Sequence, residues 1–414
     1  MDAGPLSLGQ LSVWHDIRDL PLSRRHEPNN ATVWELPPEA APAQVRAALT
    51  ALARRHPSLR TRYDLSDPNA PRQWTLEGPA DVELPVVHAA NTPADEAALR
   101  LASEPFDLGG QDGWRARLLT GGSGPSRLAF VKHHIVADAW AQEVLRRDLL
   151  RELSAPGSLR EPADGPAELA AQQHGPDGMR RRRAALEHWE RLLAQAPDTR
   201  LPDTGDTPGE VVQATLRSAP ALAAARTLAD RARVSVASAV LAAYLRTVAR
   251  RFGSDTLLVQ LMSANRFAGR WKNLVTSMNQ WVPALVDGTR TEVADLARAV
   301  HWDVLRAVRH GMHDVTEVAE LRTRTPQAPL PACAFNHVAV PSTVDEQEAV
   351  HRPESPEKPT VSFETPFTTI GPRCYARSQE DGRTLSVRLT ARDVGRAHSA
   401  ALLWEIHDTL LAAA

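Results

Sequence analysis

The chain has little cysteine, no excess of either charge and no long apolar run. Only two of its 414 residues are cysteines, Cys333 and Cys374, so we expect neither a disulfide framework nor a cysteine-based zinc cluster. Its 48 basic and 50 acidic residues leave a formal charge of −2, which disfavours a nucleic-acid or anionic-membrane partner. No window approaches about 18 uncharged apolar residues, and the first ten residues lack the basic and apolar regions of a secretory signal. We therefore predict a cytoplasmic protein.

Helical and strand-like patterns alternate from end to end, which favours an α/β or α+β architecture. Between residues 196 and 210, proline, aspartate, glycine and threonine cluster without apolar periodicity, as is typical of a linker. We therefore predict two α/β lobes, residues 1–196 and 207–414. The chain shows no internal repeats and no coiled-coil heptads, so a monomer is the default expectation.

The most informative segment follows an apolar strand pattern at residues 128–132. The strand runs directly into His133 and His134, and Asp138 comes four residues after the second histidine. Three interpretations are open: a plain surface loop in which Asp138 caps the next helix, a metal site, or a general base. Adjacent histidines on an extended strand point to opposite faces, so we predict no metal here. An imidazole, by contrast, has a pKa suited to deprotonating an amine or hydroxyl near neutral pH.

The segment HHIVADAW, residues 133–140, resembles the HHxxxDGW signature of nonribosomal-peptide condensation domains, which belong to the wider chloramphenicol-acetyltransferase-like superfamily. Further matches follow in the family's order and cover essentially the whole chain. They are LSLGQLSVW at 6–14, RHPSLRTRY at 55–63, LEHWERL at 186–192, NRFAGR at 265–270 with Met278 and Asn279 behind it, His313 with Asp314, and Phe335 with Asn336.

This resemblance implies two chloramphenicol-acetyltransferase-like lobes that form a V-shaped pseudo-dimer with a tunnel between them. It implies an acyltransferase without a bound cofactor, acting in nonribosomal peptide or antibiotic biosynthesis. Acyl or peptidyl carrier proteins would present substrates on phosphopantetheine arms, and a tethered or free amine or alcohol would attack the acyl thioester. No adenylation or carrier pattern occurs in the chain, and it starts at a methionine, so we expect a free-standing condensation enzyme that forms an amide or an ester.

The resemblance also implies roles for individual residues. His134 would be the general base or an orienting group, beside His133, and Asp138 would hold the loop. The positions expected to bind substrate are Trp140, Ala139 and Asn336, and those expected to be structural are Gln10, Arg60 and Arg62.

The chain departs from the family pattern at several positions. Ala139 stands where the family has glycine, which would strain a left-handed backbone. The arginine that usually pairs with the signature aspartate aligns with Ala284, so we predict Arg60 or Arg62 as the partner of Asp138.

Three other functions stay open: a degenerate domain that docks carrier proteins or tailoring enzymes, an epimerase of the same fold, and a coenzyme-A-dependent acyltransferase. The two histidines argue against a pure docking module, and the RHxxLRT match favours condensation over epimerisation.

Overall fold

The computed structural model describes residues 3–78, 82–88, 93–121, 126–199, 209–267, 269–331, 333–338 and 358–414. Most of the predicted linker lies outside these residues. The chain forms two compact units. The first comprises residues 1–183, 264–280 and 312–317, and the second comprises 184–263, 281–311 and 318–414. The predicted lobes assigned 264–280 and 312–317 to the second half of the chain, whereas their contacts attach both segments to the first unit.

The first unit contains six helices and seven strands among its described residues. Its four-stranded sheet has the order β2-β7-β6-β5, and a small sheet has the order β1-β4-β3. The helices are α1 (Leu8–Ile17), α2 (Pro42–Arg55), α3 (Ala94–Ala102), α4 (Ala139–Ser154), α5 (Pro166–His174) and α6 (Pro176–Gln195), which continues into the second unit. The strands are β1 (Gly4–Pro5), β2 (Asn29–Glu35), β3 (Thr61–Asp64), β4 (Arg72–Thr75), β5 (Val86–His88), β6 (Trp114–Thr120) and β7 (Arg127–His133).

Local sequence signals explain where the main elements of the first unit begin and end. The side chain of Ser7 and that of Gln10 form a capping box at the start of α1. Strand β7 lies between β2 and β6, and six of its seven residues are buried, which accounts for its nearly continuous apolar run. Asp138 then caps α4, so the HHxxxD pattern spans a strand end, a turn and a helix start.

The second unit is built on a mixed seven-stranded sheet with the order β10-β9-β11-β13-β14-β8-β12. The strands are β8 (Val211–Ser218), β9 (Leu257–Ser263), β10 (Gln280–Val286), β11 (Cys333–Val338), β12 (Thr360–Glu364), β13 (Cys374–Glu380) and β14 (Leu385–Arg392). The helices are α7 (Ala219–Ala232), α8 (Val236–Phe252), α9 (Val293–Val308), α10 (Val315–Arg324) and α11 (Arg396–Ala412). The mixture of helices and sheets in both units confirms the predicted fold class.

On β13 and β14, strand alternation gives this sheet one apolar and one polar face. On β13, Cys374 and Ala376 are buried in the hydrophobic core with the helices, whereas Tyr375 and Arg377 lie on the opposite face. Both cysteines are buried and free. Among the described residues, no single helix is long and apolar enough to cross a membrane, and α7 and α8 pass that test only as a pair bent by 104°.

Candidate active site around His134

The loop after β7 is anchored at three points of the first unit. The backbone N–H of His134 donates to the carbonyl of Pro28 (2.9 Å), and that of Val136 donates to the carbonyl of His133 (3.0 Å). The hydroxyl of Ser58 donates to the carbonyl of Val136 (2.6 Å). Because Ser58 belongs to the RHPSLRTRY segment, this second motif supports the histidine loop directly.

His133 is buried and has a structural environment. Its Nδ1 accepts a hydrogen bond from the N–H of Ile135 (3.1 Å), and its ring meets that of Phe106 edge-on. Burial, followed by the charges of His134 and Lys132, lowers the pKa of His133 to about 3. The ring is therefore neutral, with its proton on Nε2.

His134 differs from its neighbour because the residue is only partly buried. Its Nδ1 is buried and has no hydrogen-bond partner among the described residues. Burial and then Lys132 lower the pKa of His134 to about 4, against opposing contributions from Asp138 and the loop backbone. The ring is thus neutral at physiological pH and able to accept a proton.

Asp138 fixes this loop to two other segments of the first unit. Its Oδ1 accepts hydrogen bonds from the N–H of Ala141 (2.8 Å) and from Nη2 of Arg266 (2.7 Å), and its Oδ2 accepts from the N–H of Met278 (3.0 Å). Burial acts to raise the pKa of Asp138, but Arg266 and the two backbone donors outweigh it and lower that pKa. Asp138 is therefore an ionised, fully bonded carboxylate that holds the loop.

The partner of Asp138 is Arg266, and the prediction of Arg60 or Arg62 is wrong. Arg60 instead donates to the carbonyls of Ala53 and Leu76, and Arg62 pairs with Asp112. Both arginines are thus bonded to groups other than Asp138. The aligned position Ala284 is buried in the hydrophobic core of the second unit and could hold no charge there.

Arg266 reaches Asp138 because the segment from residue 264 to 280 folds against the first unit. Asn265 has a left-handed backbone (φ 55°), a conformation that asparagine tolerates, and its Nδ2 donates to the carbonyl of Met278 (2.9 Å). Arg266 also donates to the carbonyl of Thr276 (3.1 Å). The NRFAGR match contained this residue, but nothing in its local pattern showed that a side chain 128 positions from Asp138 would bind it.

Trp140 and Ala139 follow Asp138 at the start of α4, and both are exposed. The indole Nε1 of Trp140 donates to the carbonyl of Lys272 (2.8 Å), which holds the ring against the same 264–280 segment. Ala139 lies in the helix without a positive φ, so the alanine in place of glycine causes no left-handed strain.

Gln10 and Asn336 occupy different units. Gln10 is buried in the first unit, where its amide bonds Tyr63 (3.3 Å) and Gln73 (2.9 Å), in agreement with a structural role. Asn336 lies on β11 in the second unit and donates to the hydroxyl of Tyr375 (3.2 Å). Its role towards substrate stays a prediction.

Lys132 is the charged group that sequence reasoning overlooked, although it directly precedes the histidines. Its side chain is fully buried, and its Nζ donates to the carbonyl of Ala137 (2.7 Å) and to Oδ1 of Asn30 (3.1 Å). Burial lowers the pKa of Lys132 to about 8, with Asp138 opposing. The sequence did carry a signal for this residue, a lysine inside an apolar strand pattern. Such a lysine is buried only when it has specific partners.

A family model described as the Condensation domain matches residues 22–364. The chain belongs to the condensation domain family. Two curated relatives of this condensation domain are large synthetases. This chain is 35% identical over 166 residues, 37% of its length, to a probable non-canonical nonribosomal peptide synthetase, CymA, of Salinispora arenicola. It covers 2% of that protein. It is 28% identical over 276 residues, 60% of this chain, to cyclosporin synthetase of Tolypocladium inflatum, and again covers 2%. The chain therefore spans a small fraction of these relatives.

Solved structures confirm the fold of this condensation domain. The condensation domain of the monacolin K polyketide synthase MokA superposes with a TM-score of 0.80 at 18% identity, covering 100% of this chain and 97% of that one. The epimerization domain from the third module of tyrocidine synthetase B superposes with a TM-score of 0.75 at 14% identity, covering 100% and 96%. Both confirm the predicted chloramphenicol-acetyltransferase-like fold, and at these identities they carry no further conclusion.

Proposed function

We propose that this condensation domain transfers an acyl group from a thioester to an amine or hydroxyl acceptor, with His134 as general base or orienting group. The thioester would be carried on the phosphopantetheine arm of an acyl or peptidyl carrier protein. The observation that supports this proposal is the neutral imidazole of His134, a partly buried residue on a loop fixed by Asp138, Arg266 and Met278. Such rigid placement is what allows a catalytic group to position an attacking nucleophile.

The proposed reaction needs one proton acceptor. The nucleophile attacks the thioester carbonyl, a carbon–nitrogen or carbon–oxygen bond forms, and the carbon–sulfur bond breaks as the tetrahedral intermediate collapses. The proton leaves the nucleophile and is returned to the departing thiolate. A neutral His134 could accept it and hand it on, so the residues need no bound cofactor for this sequence of steps.

The low pKa of His134 favours amines over alcohols as acceptors. A base with a pKa of about 4 is weak, and it cannot withdraw much of a hydroxyl proton before attack. An amine can attack unassisted, and its N–H becomes strongly acidic once the nitrogen carries positive charge. A weak base is then sufficient to complete the transfer, so the test compares amines directly with alcohols.

The test is turnover of acyl-pantetheine and acyl-carrier thioesters with a panel of amines and alcohols, followed by mass spectrometry. We expect amide products from the native protein and a loss of about 100-fold or more in kcat/KM for His134→Ala. His398→Ala is the matched control, because His398 is exposed on α11 and bonds no other described group. It should retain full activity.

Three other outcomes would replace this proposal. Carrier binding without thioester consumption, unchanged by His134→Ala, would indicate a docking module. Inversion of an aminoacyl α-carbon without transfer would indicate an epimerase. Equal or faster use of acyl-coenzyme A would indicate a small-molecule acyltransferase.

The cytoplasmic location and the monomeric state are further inferences from composition, and sedimentation of the purified protein would test the latter.

A further inference from the structure

Two arginines lie directly opposite each other on the polar face of the second unit's sheet. Arg377 of β13 and Arg388 of β14 are register partners in an antiparallel pair. Their strand neighbours Ala376 and Leu389 point into the core with the helices, so both guanidinium groups project from the other face. Asn336 of β11 is the register partner of Arg377 on its other side, which extends the row of polar side chains.

Neither arginine has an anionic partner within the described part of the chain. The Nε of Arg377 is buried and unbonded, and no ion pair or side-chain hydrogen bond joins Arg377 or Arg388 to a described residue. Glu364 lies on the same face, but β8 separates its strand from β14, and its carboxylate accepts from Gln213 (2.7 Å) and Thr215 (3.2 Å).

This arrangement is costly without a ligand. Like charges placed directly across two strands destabilise a sheet, and a half-buried guanidinium loses hydration that no described side chain replaces. Burial lowers the pKa of Arg377 against an opposing effect of Tyr375, and Arg388 adds a smaller lowering effect, but a guanidinium stays charged at physiological pH. A plain solvated face would leave such groups exposed, whereas Arg377 and Arg388 are both only partly accessible.

We propose that Arg377 and Arg388 form a binding site for an oxyanion, a carboxylate or phosphate group, on the polar face of this sheet. Two guanidinium forks match the paired oxygens of either group. Asn336 and the hydroxyl of Tyr375, which bond each other at 3.2 Å, supply neutral polar groups beside them. Resting on the proposed function, the anion would belong to a substrate: a carboxylate on the acyl group or acceptor, or the phosphate of the pantetheine arm.

The test separates stability from binding. Arg377→Gln and Arg388→Gln are compared with Arg383→Gln, a matched control from the exposed turn between β13 and β14. Removing either facing arginine relieves repulsion, so we expect the Tm to rise by roughly 1–3 °C. Isothermal titration with phosphopantetheine against pantetheine, and with glutarate against glutaramide, distinguishes the two sources of the anion.

The site predicts that the native protein binds at least one of the two anionic probes more tightly than its neutral counterpart. Each facing variant should weaken that binding by about 10-fold or more, and Arg383→Gln should not. Equal binding by all variants, or no anion preference in the native protein, would overturn the site. Because these titrations need no turnover, they are independent of the proposed function. A native protein without condensation activity would refute the proposed function and leave the binding result standing.

Discussion

At the scale of single residues, the charge of Lys132 adds to burial in keeping the candidate base unprotonated. Replacing Lys132 by Met removes a buried positive charge that lowers the pKa of His134. We therefore expect the acid limb of the kcat/KM profile to move to higher pH in Lys132→Met, while burial still keeps that pKa below the usual value of about 6.5. The pH dependence of kcat/KM measures this shift.

Asn30→Ala is the control for Lys132→Met. It removes one hydrogen-bond acceptor of the ammonium group but keeps the charge. If Lys132 acts only by holding the loop, both variants should lower activity without moving the acid limb, and the electrostatic role would be wrong.

The pair of Asp138 and Arg266 gives a second prediction at this scale. Their side chains are only 2% and 1% exposed, so removing one partner leaves an uncompensated buried charge. We expect Asp138→Asn and Arg266→Met each to lower the free energy of unfolding by about 3 kcal/mol. The double variant should cost clearly less than the sum, by about 1 kcal/mol or more, in urea unfolding. Strict additivity would contradict the pairing.

At the scale of elements, Gly9 sets the distance between α1 and the segment that carries Met278. A Cβ on Gly9 would lie 2.6 Å from Cα of Met278 and closer still to the carbonyl oxygen of Ser277. Glycine to alanine in a helix normally stabilises by about 1 kcal/mol, but here the clash is with backbone, so the sign should reverse. We expect Gly9→Ala to lower the Tm and, by moving the N–H of Met278, to lower activity.

The control for this change is Gly4→Ala, because a Cβ on Gly4 would meet nothing within 4 Å. Its Tm should stay close to that of the native protein. A stabilised Gly9→Ala variant would show that the two segments separate easily and that α1 does not fix the Asp138 loop.

Local patterns predicted elements far better than the contacts between them. The strand at 128–132 was found to within one residue at each end, because apolar patterns act locally. The histidine loop was found for the same reason. Arg266 was missed as the partner of Asp138, and 264–280 was assigned to the wrong half, because both depend on packing between segments far apart in sequence.

At the scale of the whole molecule, both units bury a histidine that must stay neutral. His133 does so in the first unit. In the second, the ring of His188 stacks on that of His310, its Nδ1 accepts from Arg191 (2.8 Å), and its Nε2 donates to the carbonyl of Pro283 (3.0 Å). Burial, opposed by that carbonyl and reinforced by His310 and Arg191, lowers the pKa of His188 to about 4.

These lowered pKa values predict that acid destabilises both units well before carboxylates titrate. Below the unfolded pKa of about 6.5 the unfolded chain binds protons that the folded histidines cannot, so stability falls as pH falls, by at most about 2 kcal/mol per histidine between about pH 7 and pH 5. Asp138, whose pKa is also lowered, loses its stabilising charge only at lower pH.

Calorimetry between about pH 7 and pH 5 measures this loss of stability. It should show His188→Gln less stable than the native protein near neutrality but less sensitive to acid, and His398→Gln should behave as the native protein. An equal pH slope in His188→Gln and the native protein would mean that folding does not lower the pKa of His188, and that its stacking on His310 tolerates a charge.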